Sequence, residues 1–289
     1  MGAAKKLSNI VNGIILSSLV SSCMPLYYKY SNKNLDTKVM RTTFHIIEKS
    51  KDRGEAELVK LARKSKIEDT WLLCNSYWIE GGLRNTELQS MPLSTNLVDI
   101  FRKIGLCETG EIAQYHLHTL KGAYYIYNQY GVSAEDLLIF FGEKSLPYSA
   151  EDIRYMLLNI YTCKSDCSDT KNPDCKDIEN WCKVSEFRVA DYKGIFELNL
   201  SNFVQDLIAI DKEEVGKRID NVLKFYEVAR IDYLLTHERS LQDFIYSASM
   251  MGIDITYLKK RELKLDNASF NKYKLFLDDK IESDNSKRF

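Results

Sequence analysis

The chain has 289 residues, with 40 Lys or Arg against 41 Asp or Glu and a formal net charge of −1. That balance lacks the basic domain a nucleic-acid surface requires, and 45% hydrophobic with 28% charged residues leaves ample material for a core. Four prolines and thirteen glycines are little punctuation for many short strands, so long helices are expected.

Residues 1–22 read as a lipoprotein export signal. Lys5 and Lys6 supply a positive n-region, and Ile10 to Val20 a short apolar stretch broken by Asn12, Gly13, Ser17 and Ser18. A bilayer span needs ~20 apolar residues; this shorter run fits a signal h-region. Val20-Ser21-Ser22-Cys23 resembles the lipobox of bacterial lipoproteins. The resemblance implies that Cys23 becomes the first mature residue and carries the lipid, whose chains contribute ~0.8 kcal/mol per buried CH₂. Met24, where an Asp would signal retention, resembles the pattern of outer-membrane sorting. The expected location is therefore periplasmic and membrane-anchored. The competing reading is a buried or amphipathic N-terminal helix in a cytoplasmic protein. Residues 23–35 would tether the lipid to the first helix.

From residue 36 the expectation is a single all-α domain, 36–278, of about ten antiparallel-packed helices in a bundle-like array. Residues 53–64 are rich in strong helix formers. Residues 66–79 carry Ile67, Trp71, Leu72, Cys74 and Trp78 on a mostly apolar helical face that Gly81-Gly82 would end. The stretch 83–96, with Pro92, is loop-like. A long helix is expected over 109–130, where Ala113, Leu117, Leu120, Tyr124 and Tyr127 recur in steps of three and four before Gly131. Ser133 with Asp136, and Ser149 with Asp152, have the spacing of capping boxes. The helix from 149 presents Ile153, Met156, Leu157 and Ile160 inward. Residues 186–200 form a possible extended segment. Ser201 or Asn202 caps a short helix, Asp211 with Glu214 caps a long one over 212–236, and Ser240 with Asp243 starts another that Gly252 ends. The charged tail, 279–289, is expected to fray.

Seven cysteines fit an oxidising compartment. If Cys23 carries lipid, Cys74, Cys107, Cys163, Cys167, Cys175 and Cys182 remain, an even set of disulfide candidates. Four of them fall in 163–182 with spacing C-x3-C-x7-C-x6-C. Structural zinc favours tighter knuckles, so disulfides are expected and the pairing stays open.

No H-E-x-x-H, G-x-S-x-G or P-loop pattern occurs. On the expected helix, His116 and His118 would point to different faces and could not share a metal. His45 and His237 stand alone. The paired carboxylates sit mostly at helix starts, where capping accounts for them. No enzyme activity, catalytic residue, metal, cofactor, nucleic acid or small-molecule substrate is expected. Of eighteen tyrosines most belong in a core, but Tyr125 and Tyr130 fall off the apolar face of 109–130 and are partner-binding candidates.

The stretch 203–258 resembles the Immunity protein 49 family of polymorphic toxin systems. It runs from F-V-Q-D-L-I-A-I-D-K-E-E-V through an amphipathic helix to S-L-Q-D-F-I-Y-S-A-S-M-M-G-I-D-I-T-Y-L. Residues 113–131 resemble its central helix more loosely. The resemblance implies an all-α protein that binds a cognate bacterial toxin and occludes its active site. The export signal and the cysteine loop depart from that family and imply a toxin acting in the envelope. The alternative is a helical lipoprotein scaffold or adaptor of an envelope complex.

Overall fold

A computed structural model describes residues 46–65, 68–80, 112–165 and 184–263. The signal 1–22, Cys23, the tether and the tail lie outside these described residues. Seven strands and seven helices alternate along them: β1 (Ile46–Glu48), α1 (Lys51–Ala62), β2 (Thr70–Cys74), β3 (Tyr77–Glu80), β4 (Ile112–Leu117), α2 (Leu120–Gln129), α3 (Ala134–Glu143), α4 (Ala150–Ser165), β5 (Val184–Ala190), β6 (Gly194–Asn199), α5 (Ser201–Ile208), α6 (Lys212–Leu235), α7 (Leu241–Ser249) and β7 (Asp254–Lys259).

The strands form one sheet in the order β1-β3-β2-β4-β5-β6-β7. Every neighbouring pair is antiparallel except β4 and β5. Parallel neighbours need a long crossover, and this one carries α2, α3 and α4. The fold is therefore mixed α/β, which overturns the all-α expectation. The expected helix over 66–79 is instead the β2–β3 hairpin, turned by Asn75 at φ 55°. The expected helix over 109–130 divides into β4 and α2. The physical reason is burial: all five residues of β2 are buried, and a strand covered on both faces shows a continuous apolar run that periodicity cannot tell from a helix.

Register separates the two faces. Trp71 pairs with Tyr115 and Tyr115 with Arg188, so these three share one face. Thr70 pairs with His116 and His116 with Val189 on the other. Helix α1 covers the first face. Its Gly54 lies so close to the sheet that an added Cβ would come within 1.9 Å of Trp78 Cε2. Glu55, 1% exposed, accepts from Tyr115 Oη at 2.8 Å and from Arg188 Nη1 at 2.7 Å. Arg188 also reaches Glu186 at 2.7 Å and Glu197 at 2.6 Å. The Lys260 ammonium, 2.7 Å from Glu55, adds a second cation to this cluster.

Helix α4 lies over the second face, where Asp152 meets His116. Helix α6 packs on α4 and α7 on α6. The segment 144–149 between α3 and α4 is largely buried, so its backbone polar groups need partners. Tyrosines supply several of them. Tyr192 Oη donates to Lys144 O, Ser145 N donates to Tyr233 Oη, and Tyr226 Oη donates to Tyr148 O. Leu146 N donates to Asp191 Oδ2 at 2.8 Å. Part of the tyrosine surplus in this chain therefore serves a buried loop.

Local signals in the second half translate directly. Ser133 accepts from Asp136 N, and Ser149 and Ser240 form reciprocal pairs with Asp152 and Asp243. Gly131 and Gly252 take the positive φ that ends a helix, 69° and 79°. The extended segment 186–200 falls on the β5–β6 hairpin. One cap moves: α5 starts from Leu200, with Ser201 N donating to Asn199 Oδ1. Asp211 is the N-cap residue of α6 but makes no side-chain cap bond.

Candidate functional site

Four ionisable side chains meet where the C-terminal end of β4 faces the start of α4. His116 Nε2 is 3.1 Å from Glu68 Oε2, and His116 Nδ1 is 3.2 Å from Asp152 Oδ1. His118 Nε2 is 3.3 Å from Asp152 Oδ2, and its Nδ1 is 3.0 Å from Leu146 O. The two rings stand edge to face, 4.7 Å apart. Among the described residues, Glu68, His116 and His118 each offer a ligand atom, and these atoms lie within 4.8 Å of one another.

This corrects the expectation that His116 and His118 diverge. On a helix, residues two apart point to different faces; on a strand they share one. Leu117 N and His118 N continue the backbone pairing, to Asp69 O and Ala190 O, so the strand geometry extends through His118. The signal was present in the sequence. Ala113, Tyr115 and Leu117 alternate with Gln114, His116 and His118, and that polar series lines one face.

Electrostatics couple the cluster tightly. Burial works against the His116 imidazolium, yet the Asp152 carboxylate and the hydrogen bonds from Asp152 and Glu68 hold its pKa above the usual histidine value. Burial likewise opposes the Asp152 carboxylate, and His116 and His118 more than offset it, leaving that carboxyl well below the usual range. Asp152 is positioned independently of the rings, because its Oδ2 accepts from Ser149 N and Oγ, both at 2.7 Å.

A second polar site is a cleft of about 830 Å³ between the end of α3, the β5–β6 turn, the start of α7 and the chain after β7. Lys144, Ser145, Lys193 and Tyr257 face it. Burial lowers the Lys193 pKa to about 8. Its ammonium donates to Gly142 O at 2.9 Å, and Ser145 Oγ bonds Tyr257 Oη at 2.9 Å. Asp191 builds the turn beneath: Oδ1 accepts from Lys193 N and Gly194 N at 2.8 and 2.6 Å, and burial raises its pKa.

The residues singled out from sequence fare unevenly. Tyr125 and Tyr130 sit at the middle and end of α2 and are both half-buried. Tyr125 lies under the Lys121 ammonium, 5.8 Å from the ring centroid. Cys74 and Cys163 are each disulfide-bonded. Cys107, Cys167, Cys175 and Cys182 lie outside the described residues, as does the lipidation candidate Cys23. His237 is half-exposed, 3.7 Å from both Asp136 and Glu143. Glu68 and Asp152 gained no functional role from sequence reasoning, because a carboxylate announces itself only by its neighbours in space.

Compared with family models, curated proteins and solved structures, the chain matches none.

Proposed function

We propose that this protein neutralises a cognate bacterial toxin by binding it and occluding its active site, anchored in the envelope through lipid on Cys23. The observation that carries this reading is where the apolar surface lies. Seven of the nine large hydrophobic residues exposed among the described residues fall within 203–258, the stretch that resembles the immunity family. Phe225 on α6 is 66% exposed, Tyr246 on α7 69% and Met250 just beyond it 73%. Aromatic and Met side chains are the types enriched at interface cores. The disulfides at Cys74 and Cys163 support an oxidising compartment. The mixed sheet removes the all-α part of the resemblance and leaves the α5–α6–α7 segment as its support.

The test is recovery of tagged full-length protein from the envelope fraction of its host, followed by identification of what binds. The expected result is one stoichiometric partner bearing a toxin domain, whose growth arrest this protein relieves. Tyr246→Ala with Met250→Ala should weaken that complex while leaving the fold intact. Recovery of several envelope-complex subunits would replace the reading with that of a scaffold.

A further inference from the structure

We propose that Glu68, His116 and His118 form a binding site for one divalent metal ion of the zinc class, ligated by a Glu68 carboxylate oxygen and Nε2 of each imidazole. One donor atom from each of the three side chains already lies within 4.8 Å of the other two. Ligands around tetrahedral zinc stand about 3.3 Å apart, as bonds of about 2.0 Å require. The His116 Nε2–Glu68 Oε2 separation, 3.1 Å, is already in that range. Closing the widest separation to that spacing takes at most about 1.5 Å of side-chain movement.

The second argument is the way the rings are held. A metal-bound histidine keeps its other nitrogen on a carboxylate or a backbone carbonyl, which fixes tautomer and orientation. His118 Nδ1 faces Leu146 O, an acceptor only, so that nitrogen carries the proton, and Nε2, now 3.3 Å from Asp152 Oδ2, is the one that turns to the metal. His116 Nδ1 faces Asp152 Oδ1, whose carboxylate is itself held by the Ser149 cap. Asp152 thus orients His116 through Oδ1, while its Oδ2, 3.3 Å from His118 Nε2, borders the coordination sphere.

Charge gives the third argument. Two carboxylates, Glu68, which is buried, and Asp152, whose side chain is 13% exposed, stand beside two imidazoles, and a divalent cation neutralises both. When it binds, any proton on either Nε2 leaves to solvent. Two nitrogens and a carboxylate oxygen suit Zn²⁺, Co²⁺, Ni²⁺ or Fe²⁺ rather than Ca²⁺ or Mg²⁺. The His116 side chain keeps 14% of its surface accessible, so the site lies just below the surface with a route in.

The experiment uses full-length, disulfide-intact protein, stripped with chelator and titrated separately with Zn²⁺, Co²⁺ and Mg²⁺. The expected result is one equivalent of Zn²⁺ bound with proton release, visible Co²⁺ bands of a nitrogen–oxygen ligand set, and no response to Mg²⁺. Glu68→Gln, which keeps side-chain size, should weaken Zn²⁺ binding about 100-fold, as should His118→Ala. Circular dichroism on each variant separates lost ligation from lost folding. Folded wild-type protein that binds no Zn²⁺ overturns the proposal. So does a folded His116→Ala/His118→Ala protein that binds one equivalent as tightly as wild type.

Discussion

Ala113, Leu117, Leu120 and Tyr124 have the same spacing as Val215, Ile219, Val222 and Tyr226, and all eight are buried. The second set lies on one 24-residue helix, α6. The first is divided between strand β4 and helix α2. The spacing itself cannot decide, because residues four apart share a face on a strand as well as on a helix. What separates the two regions is the residues between. Around α6, Lys217, Asp220 and Lys224 are exposed, so one face is core and the other is solvent. Around β4, Tyr115 is buried and pairs with Trp71, on the side a helix would have turned away. The sheet region is packed from two sides; the α6 region is packed from one, by apolar burial and by the Tyr226 and Tyr233 hydroxyls that bond the 144–149 segment.

Arg188→Leu tests that difference most severely. It removes the cation from among Glu55, Glu186 and Glu197 and leaves the buried Glu55 carboxylate facing two partly exposed ones. Loss of one member of a buried ion group costs roughly 3–5 kcal/mol. Denaturant unfolding should show a loss of that order. A loss below about 1 kcal/mol would mean that Lys260 alone satisfies Glu55 and that the sheet does not depend on the cluster.

Lys193 supplies a test by pH. Its folded pKa, about 8, lies below the ordinary lysine value of 10.5. Between those values the unfolded chain binds the proton that the folded protein has released, so this residue makes stability rise with pH. Below about 8 both states hold the proton and the cost of burying the charge, of order 3 kcal/mol, is fully present. Asp191 and Glu143 favour the charged form, while Lys259 and Arg63 oppose it. From roughly pH 7.5 to 9.5 the raised pKa of His116, about 10, makes stability fall with pH while Lys193 makes it rise, so the test is the difference between proteins: stability of Lys193→Met should fall more steeply with pH than wild type. An equal slope in the variant would mean that Lys193 releases no proton in this range.

Gly54→Ala probes the helix–sheet contact. The new methyl would overlap Trp78, whose ring is fixed by its neighbour Tyr115, 4.9 Å away, and whose Nε1 donates to Lys49 O. Overpacking of this kind costs typically 1–3 kcal/mol. A thermal midpoint equal to wild type would show that α1 can lift off the sheet freely.

The division between what was legible and what was not follows the same line. Caps such as Ser240 with Asp243 are chemistry confined to four residues, and they translate directly into structure. The amphipathic pattern of α6 compares core with solvent along one element, and it does too. β2 has no solvent-facing residue to compare with, so it looked like part of a helix. The histidine–carboxylate cluster needed the correct period before His116 and His118 could meet. It also needed the β4–α4 crossover to bring in Asp152, 36 residues beyond His116 in the chain. Alternation over residues 113–118 could have supplied the period; nothing local could have supplied the crossover.

Gly216→Ala is the smallest effect and the sharpest contrast with Gly54. Both glycines lie inside helices. At Gly216 an added Cβ meets nothing within 4 Å. Its only consequences in the free protein are a less flexible unfolded chain and a better helix former, together worth roughly 0.5–1 kcal/mol in favour of folding. A rise of that size in unfolding free energy is expected. If Gly216 lies under the proposed toxin partner, the same methyl should weaken the complex even as it stabilises the free chain. Opposite signs in unfolding and binding would place this part of α6 inside the interface; a gain in stability with unchanged binding would place it outside.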